Sequence, residues 1–256
     1  MSILLGSFTL WQRELVRFFR QRSRIVGAFG SPVVFWILLG SGIGRSFTLP
    51  SPKGTMNYME YFFPGTVVLI LLFTSIFSTI SIIEDRREGF LQSVLAAPIS
   101  RSTIVLGKVV GATTLALIQG MAFMILAPFV IGVSPEAVLT TILVLGLVAF
   151  GLTALGYVIA WSLDSTQGFH AIMNLFLIPM WLLSGAVFPA SGAPAWLQWV
   201  ISLNPVTYGV AAVRWSLYGT STYTALGGPA PLVSLTVIVV FGAAMFIVAL
   251  IATHRR

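Results

Sequence analysis

Six long apolar stretches without a single Lys, Arg, Asp or Glu constrain the fold of this chain more than any other feature. They cover residues 25–44, 61–83, 109–133, 137–163, 169–188 and 232–253. A helix needs about 20 residues to cross a ~30 Å hydrocarbon layer. The bilayer cannot hydrogen-bond the backbone, so stretches of this length favour helices over strands. We therefore predict an all-α integral membrane protein with six transmembrane helices, forming a single domain over residues 1–256.

The basic residues predict the orientation of these helices. Eleven of the 14 Lys and Arg residues fall in the tails and loops on the side of the two termini, and Arg45, Lys53 and Arg214 fall on the other side. The positive-inside rule then places both termini in the cytoplasm. The net charge of +7 thus indicates topology and contact with anionic membrane lipids, with no nucleic acid as partner. The chain has no cysteine, which excludes disulfides and thiolate metal sites.

Residues 5–24 predict an amphipathic helix. At helical spacing one face is apolar and the opposite face is basic. The apolar face comprises Phe8, Trp11, Leu15 and Phe18, and the basic face comprises Arg13, Arg17, Arg20 and Arg24. Such a helix would lie in the membrane surface. The alternative is a polar tail whose arginines only set the orientation of the chain.

The segment 84–101 concentrates charge directly after the second apolar stretch. It begins with five consecutive charged residues, Glu84, Asp85, Arg86, Arg87 and Glu88, followed by Gly89. The apolar residues after them have the spacing of a short helix, which Pro98 ends; they are Phe90, Leu91, Val94 and Leu95. An apolar stripe beside charges is suited to docking against a soluble partner. The alternative is a solvated loop that satisfies its charges locally.

Residues 193–219 predict a hairpin that enters the membrane from the outer side and returns. The stretch 195–203 is too short to cross, Asn204 and Pro205 break it, and a second short helix is expected over 207–218. Aromatic rings typical of a membrane interface include Trp196, Trp199 and Tyr208. The hairpin is either an anchor or a lateral gate for lipid-like cargo. Arg214 is expected to face the outer headgroups or a counter-charge.

Polar residues are rare within the apolar stretches. Gln119 and Asn174 are candidates for lining a passage, because polar side chains in a membrane usually face protein or water. Hydrogen bonds between helices explain them equally well. His170 is expected to be solvated near Asp164. The G-x-x-x-G spacing of Gly107 and Gly111 predicts a close approach of two helices.

Two motifs resemble a known family. The run EDRREGFLQSVLAAPISRSTIVLGK, residues 84–108, resembles the signature of the permease subunit of type-2 ABC transporters, which export drugs, glycolipids and polysaccharides. The matching positions are Arg86, Gly89, Pro98, Ser100, Arg101, Gly107 and Lys108. LNPVTY at 203–208 is similar to the family's L-N-P-x-T-Y run before the last span. The resemblance extends over nearly the whole chain.

The resemblance implies an exporter subunit driven by a separate ATPase. Phe90, Leu91, Val94 and Leu95 would form the contact of a coupling helix with that ATPase, and residues 84–88 would form its hinge and rim. It also implies two ATPase subunits that bind ATP and Mg, a second permease copy, and a bacterial plasma membrane. The expected cargo is a hydrophobic drug, lipid or glycolipid. No cofactor is expected on this chain.

The sequence also bears on rival functions. There is no G-x-x-x-x-G-K-[ST] phosphate loop, so the chain needs a partner to use ATP. It has no H-E-x-x-H motif and no pair of carboxylates within a span, which counts against a membrane enzyme. All seven acidic residues lie at span ends or in loops, which counts against a channel or an ion-coupled carrier. A non-transporting scaffold remains as an alternative.

Overall fold

A computed structural model describes residues 3–44, 46–51 and 54–255. Six of its helical segments are long and apolar enough to cross a membrane, as the sequence predicts. Spans 1 to 6 are Arg22–Ile43, Tyr58–Arg87, Arg101–Val130, Glu136–Ser162, Thr166–Ala186 and Pro231–Arg255. The prediction of an all-α membrane fold is therefore confirmed. The spans extend beyond the predicted stretches mainly at polar ends, because a helix continues past the hydrocarbon layer where its polar groups remain satisfied.

Both termini lie on one side of the six-helix bundle. The N-terminal helix, Ile3–Arg20, packs along the first half of span 3, and Ser7 donates a hydrogen bond to the carbonyl of Thr103. Arg101 Nη1 donates to the carbonyls of Thr253 and His254 at the end of span 6, at 3.0 and 2.9 Å. We call this the terminal side and the opposite one the hairpin side. The short linker helix, Phe90–Ala96, also lies on the terminal side, between spans 2 and 3.

Span 2 is the centre of the bundle. Most of its apolar residues are buried, and it packs against spans 1, 3 and 4. Asn57 caps its first turn, since its side chain accepts from the Glu60 N–H while Glu60 reaches back to the Asn57 N–H. Gly65 lets span 2 approach span 5: a Cβ at this position would lie 2.7 Å from that of Ala186. The central packing therefore depends on small residues at helix contacts.

Spans 1 and 6 and part of span 5 lie at the periphery. Only 22% of the apolar window of span 1 and 17% of that of span 6 are buried within the chain, against 89% for span 2. Lipid tails are as apolar as these side chains, so exposure to them carries no hydrophobic penalty. The exposed faces of spans 1 and 5 are available to lipid or to another chain.

Spans 1 and 5 contain wide π-helical turns. Span 1 has one at Val26–Gly30, and span 5 has one at Met173–Leu177. Each ends two residues before a proline, Pro32 or Pro179, whose missing N–H disrupts the regular ladder of hydrogen bonds. Span 5 has a second wide turn at its end, Leu182–Ala186, where Gly185 adopts a φ of 75°. Spans 1 and 5 thus share this kind of irregular backbone, and span 3 is interrupted differently, by a turn between Met124 and Ala127.

The hairpin side carries two small substructures. Strands β1, Thr48–Ser51, and β2, Gly54–Asn57, pair antiparallel with Leu49 opposite Met56, a feature that the helical prediction did not include. After a 3₁₀ turn at Ala190–Gly192, hairpin helix 1 is Ala195–Leu203 and hairpin helix 2 is Pro205–Ala225.

The predicted pair of short helices is therefore present. The first has the predicted bounds, and Gly219, with a φ of 74°, breaks the second one residue after its predicted end. A non-glycine residue would be strained at this φ, so the sequence itself sets this break.

Candidate functional site

The charged residues after span 2 belong to a network that we call the terminal charge cluster. It comprises four basic and four acidic side chains, Arg13, Arg17, Arg24, Lys108, Glu14, Glu84, Asp85 and Glu88. These residues come from the N-terminal helix, the spans 1 to 3 and the start of the linker segment. Their formal charges cancel, which allows so much charge to pack together beside an apolar bundle.

Asp85 is the centre of this cluster and is fully buried. It accepts two hydrogen bonds from Arg13, at 2.9 and 2.7 Å, one from Arg17 at 2.5 Å, and one from Lys108. Such a bidentate pair with a guanidinium fixes orientation as well as charge. Burial disfavours the charge of Arg13, but the hydrogen bonds to Asp85 and the attraction of the Asp85, Glu14 and Glu88 carboxylates together outweigh it and raise the pKa of the guanidinium, which therefore stays charged.

Lys108, on span 3, binds the N-terminal helix through Glu14. Lys108 is 4% exposed, and its Nζ donates to Glu14 Oε1 at 2.6 Å and to Ser81 Oγ at 3.3 Å. Ser81 in turn donates to the other oxygen of Glu14, at 2.7 Å. A buried charge survives at this depth only when it is paired and hydrogen-bonded, and all three polar side chains here meet that condition.

The arginine face of the N-terminal helix differs from the sequence prediction in what it contacts. Arg13 and Arg17 do not face water or lipid opposite the bundle, because they bind acidic residues at the end of span 2. The face buried against span 3 instead comprises Ser7, Leu10, Glu14 and Phe18, whereas Phe8 is exposed and Trp11 and Leu15 are half-buried. Arg20 is exposed.

Small residues on span 3 explain how closely the N-terminal helix approaches. A Cβ at Gly107 would lie 2.7 Å from Leu10 Cβ, and one at Gly111 would lie 3.0 Å from Glu14 Cβ. Trp11 Nε1 also donates to Thr114 at 3.1 Å. The predicted close approach at this G-x-x-x-G pair is confirmed, and the partner is the chain's own N-terminal helix.

The linker helix has one buried and one exposed face. Gly89 begins it with a φ of 77°, and the Arg13 guanidinium lies 3.6 Å from the centre of the Phe90 ring. Leu91 is 3% exposed and packs into the core, so it is not available to a partner, contrary to the predicted contact face. Val94 is half-buried, and Leu95 is 40% exposed. The free face comprises Gln92, Ser93, Leu95 and Ala96.

Two further arginines of the segment anchor it to the end of span 4. Arg86 donates to the carbonyls of Trp161 and Leu163, at 2.9 and 3.1 Å, and to the Asp164 carboxylate at 2.7 Å. Arg87 Nε donates to the Asp164 carbonyl at 3.1 Å. The residues expected at the rim of a docking site thus hold the linker to its own bundle, and Arg87 and Glu88 alone of these charged residues are exposed.

Asn204 fixes the turn of the hairpin. Its side-chain oxygen accepts from the Val206 N–H, while its Nδ2 donates to the carbonyls of Met180, at 2.5 Å, and Leu183, at 3.0 Å. These two bonds tie the turn of the hairpin to the end of span 5. Pro205 then begins hairpin helix 2 at a position that needs no N–H. Asn204 and Pro205 therefore have a structural role.

Arg214 is buried on the hairpin side and forms no ion pair with a carboxylate among the described residues, so it lacks the counter-charge that was one of its two predicted partners. It is 8% exposed, and its Nη2 donates to the carbonyls of Gly185 and Tyr61, at 3.2 and 3.4 Å. Its guanidinium lies 4.4 Å from the centre of the Tyr61 ring. Arg214 lines a cavity of about 460 Å³ between the hairpin and the bundle, and Tyr208 lines the same cavity. Trp196 and Trp199 are exposed on the outer surface of hairpin helix 1.

The polar residues of the spans separate into two environments. Gln119 is buried between spans 2 and 3, where Thr74 donates to its Oε1 at 2.7 Å, so it packs two helices and does not line an open passage. Asn174 is exposed on span 5. His170 is also exposed, as predicted, and its ring lies at a tilted angle 5.9 Å from the centre of the Phe77 ring. No metal-binding group of His, Asp and Glu occurs within residues 3–44, 46–51 and 54–255.

Sequence reasoning missed the buried residues of the terminal charge cluster. Glu14 and Lys108 are among its most buried members, although Lys108 was recognised as a matching position of the motif. Glu14 is the only acidic residue in the first 59 residues of the chain. That isolation within a basic segment was the one available signal for an internal partner.

Comparison with known proteins agrees with this architecture. Residues 7–218 match the ABC-2 type transporter family. The chain is 27% identical over 220 residues to the putative transport permease ycf38 of Cyanophora paradoxa, covering 84% of this chain and 75% of that protein. It is also 27% identical over 208 residues to nodulation protein J of Sinorhizobium fredii, covering 80% of this chain and 78% of that protein. The chain therefore belongs to the ABC-2 type transporter family, as a multi-pass transmembrane permease whose ATPase partner is a separate protein.

Proposed function

We propose that the chain is the permease of an ATP-driven exporter that moves a hydrophobic or amphipathic cargo, such as a drug, lipid or glycolipid. The complex contains two permease copies and two ATPase subunits that bind ATP and Mg. It lies in a bacterial plasma membrane with both termini in the cytoplasm. The observation that carries this proposal is the linker helix, which presents an exposed face on the terminal side while its other face is held by the bundle.

The terminal charge cluster supports a role in transmitting force. A push on the linker helix is passed to span 2 through the short Gly89 turn, and to the N-terminal helix through Arg13, which contacts both Phe90 and Asp85. Lys108 extends the contact to span 3. Ion pairs with defined geometry resist shear better than apolar contacts alone, because their energy depends on direction.

The peripheral spans support the pairing of two permeases. Spans 1 and 5 expose apolar faces that include Phe35, Leu38 and Phe176, and Asn174 is also exposed on span 5. A passage between two copies would be apolar with few polar groups, which suits a cargo with a large apolar part. Trp196 and Trp199 would meet such a cargo at the hairpin side.

The first experiment is recovery of the full chain from its native membranes in mild detergent, with mass spectrometry and an ATPase assay of the eluate. A stoichiometric ATPase subunit with vanadate-sensitive hydrolysis supports the exporter. We expect Leu95→Asp to remove the ATPase subunit, because a charge would be buried at the contact. Gln167→Asp is the matched control, since it adds the same charge at an exposed position on the terminal side.

Two results would contradict the proposal. If Leu95→Asp retains the ATPase subunit as fully as Gln167→Asp does, the exposed face of the linker helix is not the contact. Recovery of the chain alone, without hydrolysis in several gentle detergents, would favour a non-transporting scaffold or an ion-coupled carrier.

A further inference from the structure

Arg214 is a buried cation without a counter-charge. Its Nη2 binds two carbonyls, but Nε is buried and has no acceptor among the described residues. A guanidinium carries five N–H donors, and the one on Nε is unused by the protein. A buried charge is normally paired with an opposite charge, and carbonyls alone satisfy this arginine only in part.

No acidic residue is placed to neutralise it. All seven Asp and Glu residues of the chain are described, and none forms an ion pair with Arg214. Five of them lie on the terminal side. On the hairpin side, the Glu60 carboxylate is occupied by Asn57 in the cap of span 2, and Glu136 is exposed at the start of span 4. No carboxylate of the chain therefore pairs with Arg214, which leaves its charge available to an anion from outside.

The cavity beside Arg214 has the size and lining to supply that balance. Its volume of about 460 Å³ is large enough for a phosphate group together with the first carbons of a chain attached to it. Hydrogen-bonding side chains that line it include Gln198, Ser184 and Thr207. Its apolar lining includes Ile201, Ala211 and Leu226. Gln198, Ser202 and Gly227 are exposed, so the cavity opens to the surface between the two hairpin helices and the start of span 6.

We propose that this cavity binds a phosphate-type oxyanion through Arg214, and that its apolar lining accepts the first carbons of an attached chain. The guanidinium supplies the charge and the directed N–H donors, which suit a planar or tetrahedral oxyanion. The oxyanion is either the headgroup of an amphiphile or free phosphate. The proposal requires only that the hairpin folds as described, and it is independent of ATP-driven transport and of its direction.

The test uses the full chain in dodecyl maltoside micelles, titrated with n-dodecyl phosphate, which has the same alkyl tail and differs in its headgroup. Inorganic phosphate is titrated in a parallel arm. The unfolding temperature, followed by tryptophan fluorescence, reports binding, because a ligand of the native state raises it. We expect dodecyl phosphate to protect the wild-type chain. Arg214→Gln should weaken its apparent affinity on the order of 10- to 100-fold, since charge-assisted hydrogen bonds are lost.

Two further variants keep the test decisive. Ser202→Trp fills the mouth of the cavity from an exposed position and leaves the protein contacts of Arg214 unchanged, so it should lose protection even if Arg214→Gln folds poorly. Arg22→Gln removes an exposed arginine on the terminal side and should keep full protection.

Each outcome then has one meaning. If dodecyl phosphate protects the wild-type chain, inorganic phosphate does not, and both cavity variants reduce the protection, the oxyanion is the headgroup of an amphiphile. Equal protection by inorganic phosphate, reduced by the same variants, supports the free ion. If neither ligand protects the wild-type chain, or if Ser202→Trp is protected as strongly as Arg22→Gln, the proposal is wrong and Arg214 only ties hairpin helix 2 to spans 2 and 5.

Discussion

Replacement of Lys108 by methionine tests whether the terminal charge cluster stabilises the bundle. Methionine keeps the length and most of the volume of the side chain but removes three donors, those to Glu14, Asp85 and Ser81. Asp85 retains Arg13 and Arg17. Glu14 retains only the Ser81 hydroxyl and an Arg13 nitrogen at 3.5 Å that is already committed to Asp85.

The cost follows from this imbalance. Removing one partner of a buried ion pair costs about 3–5 kcal/mol, because the other charge stays buried without compensation. For a chain of this size, one kcal/mol corresponds to about 2–4 °C, so we expect the unfolding temperature of Lys108→Met to fall by roughly 6–20 °C. Glu14→Gln combined with Lys108→Met should recover most of the loss, because a neutral amide still accepts from Ser81 and needs no counter-charge.

The assay is thermal and SDS-induced unfolding of the purified chain in detergent, followed by circular dichroism and tryptophan fluorescence, with all four members of the double-mutant cycle. Arg22→Met is the matched control, since Arg22 is exposed and forms no ion pair among the described residues, and it should stay within about 0.5 kcal/mol of the wild type. A Lys108→Met variant as stable as Arg22→Met, or a double variant no more stable than Lys108→Met, would refute the reasoning.

Two other predictions concern the centre of the bundle. Gly65→Ala should destabilise the chain by about 1–3 kcal/mol, because its new Cβ would lie 2.7 Å from that of Ala186. Gly146→Ala is the control: a Cβ there has no atom within 4 Å, so the substitution should stabilise the chain by about 0.5–1 kcal/mol. SDS titration compares the stability of the two variants, and equal effects would exclude the close contact at Gly65. Gln119→Leu should cost only about 0.6 kcal/mol, since it removes one interhelical bond from Thr74 and the Gln119 amide nitrogen is already unpaired. If Gln119→Leu instead loses cargo efflux while its stability is unchanged, Gln119 lines the passage.

The hydrophobic pattern was sufficient for the spans and for the short hairpin helix. The stretch predicted at 137–163 is the helix Glu136–Ser162 in the structure, and the short helix predicted at 195–203 is Ala195–Leu203. A membrane imposes a fixed thickness and forbids unpaired backbone, so length and composition leave few alternatives. Strands β1 and β2 escaped prediction because they lie outside the apolar stretches, where this constraint does not act.

The hydrophobic pattern does not predict which residues pair with the polar side chains. The pattern of the N-terminal helix showed two faces, but the acidic partners of Arg13 and Arg17 lie 67 to 72 residues further along the chain. Likewise, the stripe on the linker helix did not reveal that Leu91 is covered by the chain's own core while Leu95 remains free.

The sequence by itself thus determined that this protein is a six-span helical permease with a broken hairpin before its last span. The reason is that burial of apolar residues in a bilayer and the breaking of helices by proline are local effects. Only the tertiary structure decided which charges neutralise one another at Asp85, and that Arg214 is left without a counter-charge beside a cavity. Electrostatic pairing acts between residues that are distant in sequence, so it is defined only when the spans have packed.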